Sequence, residues 1–300
     1  MLEVKNLDIT YGRAAAGIKP TVTDFEMSLP VGKVVGLVGE SGSGKSTIAR
    51  AITHQLTAPG VVSRGSIKFE DQELVGLKRK DIRQYLGSQI SLVVPNPKSE
   101  LDPLLTIGRQ LTDLAVLHLG MTRKEARDRA IESLQDVQIP APRERFGAYP
   151  HELSGGMAQR VVIAMSLIGQ PQLILSDDAT SGLDVTVQRD ILDLIKLTIR
   201  KGGFSSVFIT RDIGVAAYMC DEVHVIKNGY VCERAPTDVF FDAPQHPYSL
   251  ALLSAFSSIG HTNEAISTDP SFWPADYRLD APGSALVEVG ASHFVRKENG

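Results

Sequence analysis

GESGSGKST, residues Gly39 to Thr47, is the stretch that decides the fold. It follows the apolar run KVVGLVG (33–39) and leads into KSTIARAITHQL, whose apolar residues recur at helical spacing. The pattern G-x-x-x-x-G-K-[ST], placed between a strand and a helix, is the arrangement that cradles phosphate. Gly39, Gly42 and Gly44 permit positive φ and close backbone approach. Successive N–H groups through Ser41 and Ser43 can then turn toward phosphate oxygens, aided by the positive end of the following helix. Lys45 brings a full charge to the β- and γ-phosphates, the Ser46 hydroxyl suits Mg²⁺, and Thr47 completes the set. A tight glycine turn or a dinucleotide site would use similar glycines, but neither calls for Gly-Lys-Ser. The stretch therefore predicts binding of a nucleoside triphosphate.

The rest of the chain bounds what can surround that loop. Its 300 residues suffice for one large α/β domain with an appendage, or for two small domains. Hydrophobic content of 43% with 22% charged residues is ordinary for a globular protein. A net charge of −4 argues against a general nucleic-acid binder. The apolar run VVIAMSLIG is about half the length needed to span a bilayer. The N-terminal MLEVKNLDITYG alternates like a strand and lacks the layout of a secretory signal. Cys220 and Cys232 form no C-x-x-C pair, so neither a disulfide framework nor a zinc site is expected. A cytoplasmic protein, or one that reaches a membrane through a partner, fits these features.

Strands are predicted at 2–11, 21–29, 33–39, in GSIKFEDQELV and at SQISLVV (88–94), the last stopped by Pro95 and Pro97. From about 103 to 170 the pattern is helical, with RKEARDRAIESLQDV an amphipathic example. Strands return at QLILSD and SSVFIT, separated by the helical VTVQRDILDLIKLTIRK. After about 258 Gly, Ser, Pro and Asp accumulate, which predicts a small, loosely structured extension.

Three further stretches carry a resemblance. LSGGMAQR (Leu153 to Arg160) resembles the signature motif of ABC-transporter ATPases, LILSDDAT their Walker B strand, and SGLD (Ser181 to Asp184) the D-loop that follows. YPHELSGGM, LDVTVQ and HPYSLALLSAF make the chain similar to the oligopeptide, dipeptide and nickel importer branch, in which Met157 is usual. The resemblance covers residues 1–257, with the motifs in family order. It implies an ABC-type P-loop ATPase core of α/β class, a RecA-like mixed sheet plus an antiparallel β subdomain. A helical signature subdomain would occupy about 103–170, and residues 258–300 a C-terminal extension of the peptide-importer type. That extension often carries a cysteine cluster, absent here, so no iron–sulfur cluster is expected.

The resemblance further implies a head-to-tail pair of ATPase subunits with two ATP molecules sandwiched between them. Tyr11 would stack on adenine, although read without the family it is a half-buried strand tyrosine. Ser46 and Asp177 would hold Mg²⁺. Ser154, Gly155 and Gly156 would contact the γ-phosphate bound to the partner, and SGG before MAQRVVIAM also reads as a helix cap. Implied partners are a second ATPase subunit, two transmembrane permease subunits and an extracytoplasmic substrate-binding protein, with the chain peripheral at the cytoplasmic face of the plasma membrane. No nucleic-acid partner is implied.

At three positions that handle water and γ-phosphate the chain departs from the family, with lesser changes at Ala179 and Glu100. The residue after Asp177 is ordinarily a glutamate that polarises the attacking water; here it is Asp178. A displacement of about 1 Å in such a site costs on the order of a hundredfold in rate. FITRDIG places Arg211 where the family's switch histidine stands, and arginine cannot accept a proton near neutral pH. LVVPNP places Pro95 at the Q-loop glutamine, removing a ligand and a backbone donor. Loss at these three, with the phosphate loop intact, predicts a site that binds ATP and hydrolyses it slowly or not at all. The intact signature would still complete a partner's site. Two other readings stay open: a homodimeric importer ATPase in which Asp178 suffices, and a soluble ABC ATPase acting on nucleic acid. The second usually needs a coiled-coil insertion or two ATPase modules, and neither is visible. The sequence does not name the transported solute.

Overall fold

The computed structural model describes residues 1–12, 19–94, 97–257, 279–280 and 284–297. Pro95 therefore lies outside the described residues. The chain divides into two compact units, Met1–Gly76 with Val207–Gly300, and Leu77–Ser206.

The strands, in chain order, are β1 (Leu2–Tyr11), β2 (Val22–Leu29), β3 (Val34–Val38), β4 (Gly60–Phe69), β5 (Gln72–Glu73), β6 (Ile90–Val93), β7 (Leu173–Asp177), β8 (Ser205–Thr210), β9 (Glu222–Lys227), β10 (Tyr230–Pro236), β11 (Ala285–Gly290) and β12 (His293–Lys297). In the first unit β2-β1-β4-β5 form one sheet whose pairs β1–β2, β1–β4 and β4–β5 are antiparallel. The apolar alternation of β1 changes phase midway: Leu2 and Val4 are buried, then Leu7 and Ile9. A register shift between Val4 and Leu7, with Asn6 at φ 47, absorbs the extra residue. The bulge keeps every apolar side chain on the core face.

The other sheet of this unit runs β11-β12-β10-β9-β3-β8, with β8 contributing Val207–Thr210. β3 is VVGLV and buried throughout, and it pairs in parallel with β9 (Val35↔Glu222, Val38↔Val225). A continuous apolar run is what a parallel strand covered on both faces requires. The helix Lys45–Ile52 leaves the C-terminal end of β3 after the phosphate loop and buries Ile48, Ala49, Ala51 and Ile52.

Composition after 258 predicts loose structure, yet β11 and β12 form a hairpin, and β12 pairs with β10 (Glu233↔Val295, Arg234↔Phe294). The reason is a long-range one. His293 of β12 is buried with its Nε2 2.7 Å from Oε1 of the fully buried Glu233. Both cysteines are buried, and burial pushes the Cys232 thiol up to about 12, with the Arg296 charge acting in the opposite sense.

In the second unit β6 and β7 pair in parallel from Ile90↔Leu173 to Val93↔Ser176. Around them stand the helices Ile107–Leu119, Arg123–Asp136, Gly155–Leu167 and Val185–Gly202. Each begins at a side chain that accepts from its first turn: Thr106 from Arg109 N–H, Thr122 from Glu125, Ser154 from Met157 and Asp184 from Val187. Such a cap satisfies one of the four N–H groups left over at a helix start. No helix among the described residues is long and apolar enough to cross a membrane.

Candidate nucleotide site

The phosphate loop is shaped by its glycines and closed by a lysine. Gly39 has φ 154, and a Cβ there would lie 2.1 Å from the Ile226 carbonyl oxygen of β9. Gly44 has φ 108, and a Cβ there would meet Val22 Cγ2 at 3.0 Å and the Thr21 oxygen at 3.3 Å. Only glycine fits both, because the conformation and the space exclude a side chain. The Gly229 N–H donates to the Ser43 carbonyl at 2.9 Å, tying the loop to the turn between β9 and β10. Lys45 is buried, and its ammonium donates to the Gly39 oxygen (2.7 Å), the Glu40 oxygen (2.7 Å) and Ser43 Oγ (3.1 Å). A charge kept so far from water among loop oxygens is held ready for an anion. Gly44 takes the N-cap position with no capping side chain, as a helix that faces phosphate needs.

Two residues that the motif does not contain brace this loop. The Lys227 ammonium reaches both Glu40 carboxylate oxygens at 2.9 Å, and the Glu40 N–H donates to the Tyr248 hydroxyl at 3.2 Å. Lys227 could have been suspected from its position at the end of a strand beside a glycine turn; Tyr248 lies more than two hundred residues from Glu40 and carries no local signal.

Tyr11 ends β1 half-buried, its ring against the backbone of Gly60, where a Cβ would come within 2.7 Å of Cε1. Arg211 follows β8 and is exposed. The next residue, Asp212, caps the helix Ile213–Met219 by accepting from Gly214 N–H (2.8 Å) and Val215 N–H (3.2 Å). Tyr11, the phosphate loop and Arg211 all belong to the first unit.

The second unit holds the acidic pair and the signature. Asp177 is buried at the end of β7, and Asp178 is half-buried with φ 48. A left-handed residue that is not glycine is uncommon, and here it turns the chain out of the strand. Its carbonyl accepts from the Ser181 N–H at 2.9 Å, which opens the turn leading to the cap at Asp184. Ser154 and Gly155 are exposed at the start of their helix and Gly156 is half-buried, its Cβ position 2.8 Å from Val187 Cγ1. Arg160 fastens this helix by donating to the Val137 carbonyl at 2.9 Å.

The family model described as ABC transporter matches residues 22–181, the span from β2 through the phosphate loop and signature to Ser181. The chain belongs to the ABC transporter family. This ABC transporter family member is 37% identical over 288 residues to the oligopeptide transport ATP-binding protein OppD of Bacillus subtilis, covering 96% of this chain and 80% of that protein. It is 35% identical over 287 residues to the dipeptide transport ATP-binding protein DppD of Escherichia coli, covering 96% and 87%. Among solved structures it is similar to a dimeric ATP-binding cassette in a post-hydrolysis state bound to ADP and Pi. That likeness has a TM-score of 0.69 at 27% identity and spans 79% of this chain and 99% of the other. The ABC ATPase fold expected from the motifs is the one observed.

The residues present suit a triphosphate with one divalent cation. The glycine-shaped loop and buried ammonium fit phosphate oxygens. Among the described residues no group of three or more His, Cys, Asp or Glu side chains is placed to hold a metal ion. A cation there would take few protein ligands and complete its shell with phosphate oxygens and water, the habit of Mg²⁺.

Proposed function

We propose that this chain is the ATP-binding subunit of an ABC importer for peptides or related small solutes, and that it works beside a second ATPase subunit. Its named relatives are oligopeptide and dipeptide transport ATP-binding proteins. Two permease subunits and an extracytoplasmic binding protein complete the complex, with this chain peripheral at the cytoplasmic face of the membrane. In this reading Tyr11 stacks on adenine, residues Gly39 to Thr47 hold the phosphates, and Ser46 and Asp177 hold Mg²⁺. The bound cation would neutralise charge between the β- and γ-phosphates.

The observation that carries the finer reading is a contrast in the sequence among residues that the family resemblance assigns to one site. The groups that bind are intact, from Gly39 to Ser46, while the groups that handle water are altered at Pro95, Asp178 and Arg211. Phosphoryl transfer asks little covalent help of the protein and strict placement of water and γ-phosphate. Asp178 is a methylene short and Arg211 carries a fixed charge. The site therefore retains ATP, and the Ser154–Gly156 segment, exposed at Ser154 and Gly155, completes a faster site on the partner. Single-turnover hydrolysis in the assembled complex, with each phosphate loop disabled in turn, tests this. A fast site and a slow site are expected. Equal rates would mean that Asp178 does the work of glutamate, and the homodimeric reading would take its place.

A further inference from the structure

Within the first unit a continuous chain of contacts joins the C-terminal hairpin to the phosphate loop. His293 of β12 meets Glu233 Oε1 at 2.7 Å. The same carboxylate accepts from the Gln245 N–H (Oε1, 2.9 Å) and from the His246 N–H (Oε2, 2.9 Å). Those bonds fix the entry to the helix Pro247–Ser257, where His246 Nδ1 accepts from the Tyr248 N–H at 3.1 Å. Tyr248 is 3% exposed; its hydroxyl accepts from the Glu40 N–H, and the Lys227 ammonium lies 4.7 Å from its ring centre. Lys227 in turn binds the Glu40 carboxylate.

We propose that Tyr248 is a positioning residue for nucleotide binding, and that the C-terminal hairpin sets the phosphate loop through it. The inference rests on the reading that this loop holds ATP. Glu40 is an acid in a loop built to receive phosphate, so its charge opposes the ligand unless it is neutralised and held. Lys227 neutralises it, and the Tyr248 ring faces the Lys227 ammonium at cation–π range. The Tyr248 hydroxyl holds the Glu40 backbone at the first turn of the loop, upstream of Ser41 to Lys45. Helix Pro247–Ser257 can hold Tyr248 in place only while Glu233 anchors its entry, and His293 helps to hold Glu233. The hairpin, far along the chain from the phosphate loop, is thereby part of the binding apparatus.

The test uses the full chain and Mg-ATP, with affinity read by calorimetry and folding by thermal melting without nucleotide. Tyr248→Phe keeps the ring and removes the hydroxyl; one hydrogen bond lost predicts about fivefold weaker binding. His293→Ala should weaken binding as well, and His293→Gln, which keeps a neutral donor toward Glu233, should restore it. If Tyr248→Phe and His293→Ala both bind as the parent does, the proposal is overturned, whatever happens to their melting temperatures. If His293→Gln binds as weakly as His293→Ala while Tyr248→Phe is unaffected, it is overturned too. A parent chain that fails to bind Mg-ATP would instead sink the reading of the loop as an ATP site.

Discussion

The Lys45 ammonium lies 2.7 Å from the Gly39 carbonyl oxygen, folded back across the loop that precedes it. Its charge is buried, and two further loop oxygens share it. Phosphate would exchange dipoles for a formal negative charge, and charge-assisted bonds are the stronger kind. Lys45→Ala should therefore weaken Mg-ATP binding on the order of tenfold to a hundredfold, the worth of one bond to a charged group. Equilibrium titration of the full chain measures it, and an unchanged affinity would remove Lys45 from the site.

Asp178 and Ser154 should respond in opposite ways. On the slow-site proposal, Asp178→Asn is expected to leave steady-state turnover of the complex nearly unchanged. Ser154→Arg puts bulk and charge at an exposed helix start and should nearly abolish turnover. Ser154→Ala separates the two roles of this serine: loss of the cap should cost about 1 kcal/mol of stability, seen in a denaturant titration. A large loss of turnover in Asp178→Asn would contradict the slow-site reading.

Leu104 is 81% exposed on a loop that is itself firmly built. Buried Gln110 accepts from the Asp102 N–H at 2.9 Å and donates to the Asp102 and Leu105 carbonyls at 3.0 Å each. A large apolar side chain held out to water by an organised loop fits a contact surface for a membrane partner, in the segment from Pro95 to Leu111. Leu104→Asp should leave the melting temperature of the free chain unchanged and reduce its copurification with the permease subunits. Intact assembly would mean that this segment is not the contact.

Acid should destabilise the fold through His246. Burial, with the Arg296 charge adding to it, lowers this imidazole from 6.5 to about 4. Between those values the unfolded chain takes up a proton that the folded chain refuses. Stability is thus fully present above about pH 6.5 and falls as pH drops toward 4, by up to about 3 kcal/mol from this group. Urea titrations across that range should show the slope, and His246→Asn, whose amide oxygen can still accept from the Tyr248 N–H, should flatten it. A parent slope that survives in His246→Asn would assign the effect to other groups.

Much of the site could be read locally. The phosphate loop, the capped start at Ser154 and the strand ending in Asp177 are each set by neighbours within a few residues, so motif spacing found them. The half-buried placement of Tyr11 follows in the same way from alternation along β1. What escaped depends on contacts between distant parts of the chain. The hairpin β11–β12 follows a stretch whose Gly, Ser, Pro and Asp content reads as loop, and it is held by Glu233, sixty positions before His293. The brace of Tyr248 on Glu40 spans 208 positions and leaves no periodic trace in the sequence. The bulge in β1 lies between these extremes, visible as a slip in alternation once the strand is known.

Both cysteines are sealed in the first unit, with the Cys232 thiol held at about 12 by its burial. Thiolate is the species that reacts with maleimides; the high pKa of Cys232 leaves almost none of it, and burial restricts access to Cys220. The native chain is accordingly a quiet background for chemical labelling. A single cysteine placed at an exposed position, such as Val31 or Leu117, would take a fluorophore without removing either native thiol. Pairs of such probes would read out, in real time, the approach of two ATPase subunits that the proposed function requires.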